Sequence, residues 1–247
     1  MTNSAKLFCV INYKGGTGKT CTLVNVAHKI SQSGYRVLII DTDPQGSVSY
    51  HLGISNPKKT LYNAILNPDT LSSCITTARH NLDVLPSNEH LFAADHYMHQ
   101  QTNRETLLSN CLAPLKPHYD YIFIDCAPSI NLMNQNAMLF SQNILIPVSM
   151  DYMTLLGVKQ LINNITLLNK NFKSTIKVSK IIPTFYNGRN NKTKQVYNSL
   201  NRVFLDIMST PIRVNISISE AAGKGKTIWE HLSSGSAHDD YNNLTKE

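Results

Sequence analysis

Short apolar runs alternate along the chain with longer stretches of helical periodicity. Residues 7–12, 36–41, 82–85, 121–125, 144–148 and 181–185 read as buried strands, bounded by turn residues. Between them the periodicity predicts helices at about 19–33, 104–113, 131–140, 154–169 and 192–208, the first stopped by Gly34. Alternation of this kind is the mark of βα units around a covered parallel sheet. At ~100–200 residues per domain, and with no internal repeat or low-complexity linker, the pattern predicts a single domain over residues 1–247. Its class is doubly wound α/β, a mostly parallel sheet flanked by helices, with ligands outside the carboxyl ends of the strands.

No apolar run approaches the ~20 residues needed to cross a bilayer. The polar residues 1–6 lead into an apolar run, 7–11, too short for a signal h-region, so a soluble protein is expected. Hydrophobic residues at 42% and charged residues at 16% exclude collagen-like, coiled-coil and acidic disordered chains. Five scattered cysteines, odd in number and without a C-x-x-C pair, point to a reducing, cytoplasmic compartment. The net charge of +7 is unevenly spread: residues 1–149 carry 10 Lys/Arg against 9 Asp/Glu, residues 150–247 carry 13 against 7. Between Lys159 and Lys226, twelve basic residues face only Asp206 and Glu220. So lopsided a segment is the electrostatic footprint of a polyanion-binding surface, because neutralising phosphates releases condensed counterions.

The first predicted strand runs into Tyr13-Lys14-Gly15-Gly16-Thr17-Gly18-Lys19-Thr20 and then a helix. In that context small residues let the backbone wrap a triphosphate, with Gly15, Gly16, Thr17, Gly18 and Cys21 contributing to the cradle. Lys19 then reaches the β- and γ-phosphates, and the Thr20 hydroxyl can ligate Mg²⁺. The usual pattern G-x-x-x-x-G-K-S/T is not met, since its first glycine falls on Tyr13; a second lysine, Lys14, enters the loop instead. Asp125 ends an apolar strand, where a carboxylate can hold Mg²⁺ directly or through water. Asp41 and Asp43 end another, just before Pro44.

The string Lys14-Gly15-Gly16-Thr17-Gly18-Lys19-Thr20 resembles the deviant Walker A motif of the ParA/MinD superfamily of P-loop ATPases. The likeness continues in Asp41-Thr42-Asp43-Pro44-Gln45-Gly46-Ser47, similar to switch I, and in Ile122-Phe123-Ile124-Asp125-Cys126-Ala127-Pro128-Ser129, similar to Walker B and switch II. Ile146-Pro147-Val148, Pro183-Thr184-Phe185-Tyr186 and the block from Ser219 to Lys226 resemble later motifs of the ParA/Soj partition branch, so the markers span roughly residues 7–230.

The resemblance implies a P-loop NTPase fold, ATP and Mg²⁺ as ligands, and ATP hydrolysis that is weak until a partner stimulates it. It ties Asp43 to water activation and the metal, and Asp41 to a supporting role. It also implies that Lys14 reaches the partner subunit's nucleotide, so that two copies sandwich two ATP molecules. Asn215 corresponds to a base-contacting position. The ATP-loaded homodimer would bind double-stranded DNA without sequence preference, remain nucleoid-associated, and meet a ParB-type centromere-binding protein. Some members carry a DNA-binding arginine where Val214 stands here; the phosphate contacts are therefore expected among Arg189, Lys192, Lys194, Arg202, Arg213, Lys224 and Lys226.

Other functions compete. A MinD-like division regulator cycles on membranes through a basic amphipathic C-terminal helix, whereas residues 236–247 are polar and partly acidic, so no membrane binding is expected. A ParA-like ATPase that positions another cellular cargo has the same core motifs. Reductase iron proteins of the superfamily need cysteines that Cys111 and Cys126 do not supply at the right spacing. His90, His96 and His99 lack companion ligands at metal spacing, and Cys126 lacks a base. Ile228 and Trp229 read as packing residues that seat the C-terminal helix on the sheet.

Overall fold

The computed structural model describes residues 5–247; residues 1–4, part of the polar start considered above, lie outside the described residues. The strands are β1 (Lys6–Val10), β2 (Val37–Asp41), β3 (Thr76–Arg79), β4 (Leu82–Leu85), β5 (Tyr121–Asp125), β6 (Asn143–Ser149) and β7 (Lys177–Thr184). They form one sheet in the order β3-β4-β2-β5-β1-β6-β7, parallel throughout except for β3, which runs antiparallel to β4 at the edge. β1 has β5 on one side and β6 on the other, so the winding reverses there and its carboxyl end opens a crevice.

The helices are α1 (Lys19–Gln32), α2 (Ser47–Leu52), α3 (Leu61–Leu66), α4 (Leu91–His99), α5 (Leu107–Leu112), α6 (Leu132–Ser141), α7 (Thr154–Phe172), α8 (Asn191–Phe204), α9 (Ile216–Gly223), α10 (Ile228–His231) and α11 (Ser236–Lys246). Side chains alternate across each strand, so the apolar runs feed two cores at once. Leu38, Ile40, Ile122 and Ile124 face the core built with α3 to α8; Val10, Val37, Ile39 and Phe123 face the one built with α1, α2, α10 and α11.

Six strands and five helices were expected, and each has a counterpart. β3 escapes the pattern because Thr76–Arg79 is a half-exposed polar edge. Most of the additional helices, α2, α3, α9 and α10 among them, span four to eight residues, too few to establish a 3.6-residue period. The helix expected from Arg104 begins at Leu107, and the one expected to reach Met208 ends at Phe204, followed by a tighter turn. Trp229 packs between α1 and α11: its indole N–H donates to the Asn25 carbonyl and its ring meets the His238 ring edge-on at 4.7 Å, while Ile228 is fully buried in the same core.

α11 lies along α1 through Ala237, Tyr241 and Leu244, a spacing that puts all three on one helical face. Tyr241 is 2% exposed, and its hydroxyl lies 3.5 Å from the Cys21 thiol in the first turn of α1. Truncating it leaves a void against the helix that carries the phosphate loop. Tyr241→Ala is expected to cost about 3–5 kcal/mol in chemical denaturation, the range for a buried aromatic side chain; a loss below about 1 kcal/mol contradicts this packing.

Candidate functional site

Between β1 and α1 the chain makes a tight loop over residues 11–18. Gly16 (φ 70°) and Gly18 (φ 79°) take left-handed conformations that side chains resist. The loop is tied to neighbouring strand ends. Asn12 Nδ2 donates to the Pro147 carbonyl (2.8 Å) while its Oδ1 accepts from the Lys14 N–H (3.0 Å). Thr184 Oγ1 bridges the carbonyls of Thr17 (2.9 Å) and Val148 (3.0 Å). Gly18 caps α1 without a side chain, so no side chain competes for the N–H groups of the first turn, a ready anion site. Lys19 is buried and curls back, its Nζ 3.3 Å from the Lys14 carbonyl. Burial pulls its pKa down, and the nearby Asp125 carboxylate opposes that shift.

Register places Val10 and Asp41 on either side of Asp125. Thr42 bonds the Asp125 carbonyl through both its N–H (2.9 Å) and its hydroxyl (2.7 Å), locking the ends of β2 and β5 together. The Thr20 hydroxyl donates to Asp125 Oδ2 at 2.5 Å, whereas Asp125 Oδ1 is buried without a partner among the described residues. Burial pushes the Asp125 carboxyl up to about 7, opposed by the Thr20 bond and Lys19 and reinforced by Asp43. A hydroxyl beside a carboxylate with a spare buried oxygen is the hard-oxygen donor set that suits Mg²⁺, so these two residues fit the metal.

Asp41 is fully buried and also pushed well up, by burial first and by Asp125 second. Its two oxygens accept from the N–H groups of Asp43 (2.9 Å) and Val48 (3.1 Å). Both are thereby committed to shaping the turn and starting α2. Asp43 is half-buried, with Oδ1 accepting from the Gln45 N–H (3.0 Å). It lines a cavity of about 440 Å³ with Pro128, Phe92 and Asn131.

Lys14 leaves the loop for the surface and pairs with Asp151 (2.5 Å), its side chain 51% exposed. Asp151 also accepts from Ser149 Oγ and the Met153 N–H. Although partial burial works against them, the Lys14 and Ser149 bonds hold its carboxyl below the usual carboxylate range. Just past Asp151 in the chain, Tyr152, Met153 and Leu156 present exposed apolar side chains.

A second cavity, about 570 Å³, opens beside Gly18 and Cys21 and is walled by Phe185, Ile212, Val214 and Asn215. Phe185 holds a left-handed backbone (φ 54°), unusual for a bulky residue and typical of functional loops. The Asn215 side chain is already engaged at both ends, accepting from the Ser217 N–H (2.9 Å) to cap α9 and donating to Ser236 Oγ (3.0 Å).

All seven expected phosphate-contacting residues are exposed, yet they do not share one element. Arg189, Lys192 and Lys194 cluster at the start of α8, with Lys192 Nζ 5.0 Å over the Tyr152 ring and so close to the loop mouth. Arg202 lies near the other end of that helix, which packs by Val196 and Leu200 into one core. Lys224 and Lys226 sit between α9 and α10, bordering the other core. Arg213 differs from the rest: Asp240 accepts from its Nε (3.0 Å), its Nη2 (2.6 Å) and its backbone N–H (2.9 Å), so its charge is largely answered within the chain.

Asp151, Ser149 and Phe185 complete the site without having been singled out as site residues. Asp151 lies 137 positions from Lys14, and nothing local to it signals the pairing. Phe185 shares a sequence block with Thr184, but its backbone conformation is invisible in the string.

Residues 5–178 match a family described as AAA domain. The chain is 33% identical over 246 residues to sporulation initiation inhibitor protein Soj of Bacillus subtilis, covering 98% of this chain and 97% of that protein. It is 34% identical over 227 residues to chromosome partitioning protein ParA of Myxococcus xanthus, covering 90% and 80%. In fold it is similar to an ATP complex of Cyanothece McdA, with a TM-score of 0.89 at 21% identity over 99% of this chain and 96% of the other.

The Asp125 carboxyl keeps its proton to about pH 7 when folded, against 3.8 for an unperturbed aspartate. Folding therefore binds a proton across this window, and the stability so contributed, full below the lower value, is lost as pH rises through the higher one. Asp125→Asn keeps an acceptor for Thr20 and removes the titration. It is expected to lessen the fall in melting temperature of the nucleotide-free chain between about pH 5 and pH 8; an unchanged slope contradicts the burial of this charge.

Proposed function

Because this chain belongs to the AAA-domain family matched over residues 5–178 and, within it, to the partition branch of the ParA/MinD superfamily of P-loop ATPases, we propose that it is a partition ATPase that dimerises around ATP, binds DNA in that state and lets go on hydrolysis. One observation carries the reading: a strand-to-helix phosphate loop with a buried lysine, Lys19, stands directly against the Thr20–Asp125 pair, while a second, exposed lysine occupies its rim.

In this reading the residue 15–21 backbone holds the triphosphate, Lys19 neutralises its β- and γ-oxygens, and Asn215 with Phe185 borders the base. Thr20 and Asp125 would hold Mg²⁺, with Asp43 reaching it through water, and the ion would offset charge on the phosphates. Asp43 orients the attacking water and receives its proton. Phosphoryl transfer needs positioning and charge neutralisation more than covalent chemistry, and this residue set supplies both. Lys14 serves the partner subunit's nucleotide. Reaching it requires leaving Asp151, an exchange of one anion for another that keeps the empty monomer's lysine from lying unpaired. The exposed apolar side chains of Tyr152, Met153 and Leu156, just past Asp151, supply area for a second copy to bury.

The basic residues at the start of α8, with Arg202, Lys224 and Lys226, form the phosphate-contacting surface of one catalytic domain; Arg213 contributes less because Asp240 answers it. Contacts of this kind carry little sequence information, which suits a protein that uses the nucleoid as a surface. The protein is then cytoplasmic and nucleoid-associated, and a ParB-type protein on the cargo accelerates an otherwise slow hydrolysis. Membrane docking by the C-terminal helix is disfavoured, since α11 spends its apolar face on α1. Among the described residues, no helix is long and apolar enough to cross a membrane.

Calorimetry with Mg·ATP is expected to show a loss of at least ~30-fold in affinity for Lys19→Ala, the scale for removing one partner of a buried charge pair. Asp43→Ala retains binding but hydrolyses poorly. Lys192→Glu combined with Lys194→Glu leaves both intact, yet weakens the ATP-loaded protein's hold on duplex DNA and lowers the slope of log affinity against log salt by about 2. Unchanged ATP affinity in Lys19→Ala would falsify the nucleotide assignment, and an unchanged salt slope the DNA surface.

A further inference from the structure

Arg79 ends the antiparallel edge strand β3, next to a register shift, and lies more than thirty residues from any phosphate-loop or Walker B position. A guanidinium has five N–H groups in a rigid fork, and here the fork makes five contacts. Nε and Nη2 clasp the two Glu230 carboxylate oxygens (2.5 and 3.2 Å); Nη2 also donates to the Gly225 carbonyl (3.0 Å); Nη1 donates to the carbonyls of Leu52 (3.1 Å) and Ala78 (2.7 Å). One side chain thus fastens the last residue of α2, the loop between α9 and α10, and α10 itself.

At the same point two glycines meet back to back. Gly53, which caps α2, and Gly225 both have left-handed backbones (φ 69° and 62°). A Cβ on Gly225 would lie 2.7 Å from Gly53 Cα and 2.9 Å from its nitrogen, and one on Gly53 would lie 3.2 Å from the Gly225 oxygen. The two backbones touch without slack, so a displacement of the end of α2 is passed to Gly225 rather than absorbed by side chains. Lys224 and Lys226, both exposed, flank that glycine and go where it goes.

Both anchors of this joint begin at the nucleotide site. α2 hangs from Asp41, which accepts from the Val48 N–H beside Asp125. On the far side Glu230 accepts from the Thr227 N–H (2.8 Å), Thr227 Oγ1 meets His28 Nδ1 (2.7 Å), and the Ile228 N–H donates to Asn25 Oδ1 (2.7 Å). His28 and Asn25 belong to α1, the helix that starts at Lys19. The loop carrying Lys224 and Lys226 is therefore suspended between switch I and the phosphate-loop helix. An open cleft of about 890 Å³, lined by Gln45, Tyr50 and Lys224, flanks the joint on one side and leaves it room to move.

We propose that Arg79 is a positioning residue that couples the nucleotide state of the site to the placement of the loop bearing Lys224 and Lys226, acting through the Gly53–Gly225 contact. The proposal rests on the reading that nucleotide binds at the phosphate loop, and it makes this loop the part of the basic surface that senses ATP. A lysine cannot replace the fork, having one point of charge and no planar pair of donors.

Amide hydrogen exchange on the full chain tests this, with and without Mg·AMPPNP, alongside calorimetry for nucleotide binding and a duplex DNA fragment as the polyanion. In the parent protein, peptides covering α2 and residues 222–228 are both expected to change exchange rate with nucleotide, by about fivefold or more, the lower end of typical site-to-site coupling. Arg79→Gln and Arg79→Lys retain nucleotide affinity and the α2 response but reduce the 222–228 response below about twofold. Glu230→Gln, a smaller change, behaves alike and carries the test if the Arg79 variants do not melt cooperatively. The coupling is overturned if nucleotide binds and the 222–228 peptide stays silent in the parent, or responds equally in all variants. Parent protein that shows the loop response but ignores DNA sinks the partition reading and leaves the coupling standing; parent protein that binds no nucleotide overturns both.

Discussion

The hydrogen bond between the Thr20 hydroxyl and the buried Asp125 carboxylate is the interaction around which the molecule is arranged. It joins the first turn of α1 to the end of β5, and it exists only because β5 sits between β1 and β2 in the sheet. Burying a carboxylate at such a depth is unfavourable, which is why its pKa rises, and its Oδ1 has no hydrogen-bond partner among the described residues. Asp41 one strand away shares the burden, yet both of its oxygens accept backbone N–H groups. The same sheet register therefore yields two aspartates with different surroundings: Asp41 shapes the turn into α2, while Asp125 meets the Thr20 hydroxyl. Lys19 offsets part of the Asp125 charge, its own ammonium disfavoured by burial.

Electrostatic exchange extends from this centre outward. Lys14 holds Asp151, Arg213 holds Asp240, and Arg79 holds Glu230. The three pairs differ in what they fasten. Lys14–Asp151 is half-exposed and involves one lysine nitrogen, so it is weakly held. Arg213–Asp240 seats α11 against the segment between α8 and α9. Arg79–Glu230 is embedded among backbone acceptors on two further elements, and breaking it leaves those carbonyls unanswered.

Much of this was legible in the sequence, and the rest was hidden for identifiable reasons. Consecutive apolar residues in Val37–Asp41 and Tyr121–Asp125 mark strands covered on both faces, and the phosphate loop announces itself by residue type and flanks. Lys19, Thr20 and Asp125 do converge, as their motifs suggest. The strand order that makes them converge is not written locally; it emerges from which faces are apolar and how long each crossover is. Pairings such as Lys14 with Asp151, or Arg79 with Gly225, span more than a hundred residues and leave no periodic trace. Arg213 shows the converse, for a charge that looks free along the chain is answered by a helix that comes 27 residues later.

If Lys14 leaves Asp151 for a nucleotide held by a second copy, then ATP sets the oligomeric state. Sedimentation velocity of the full chain with and without Mg·AMPPNP measures that most directly. A shift from one copy to two on adding nucleotide, lost in Lys14→Ala while nucleotide still binds, is the predicted result. A single unchanged boundary in both conditions, with the nucleotide demonstrably bound, contradicts the account.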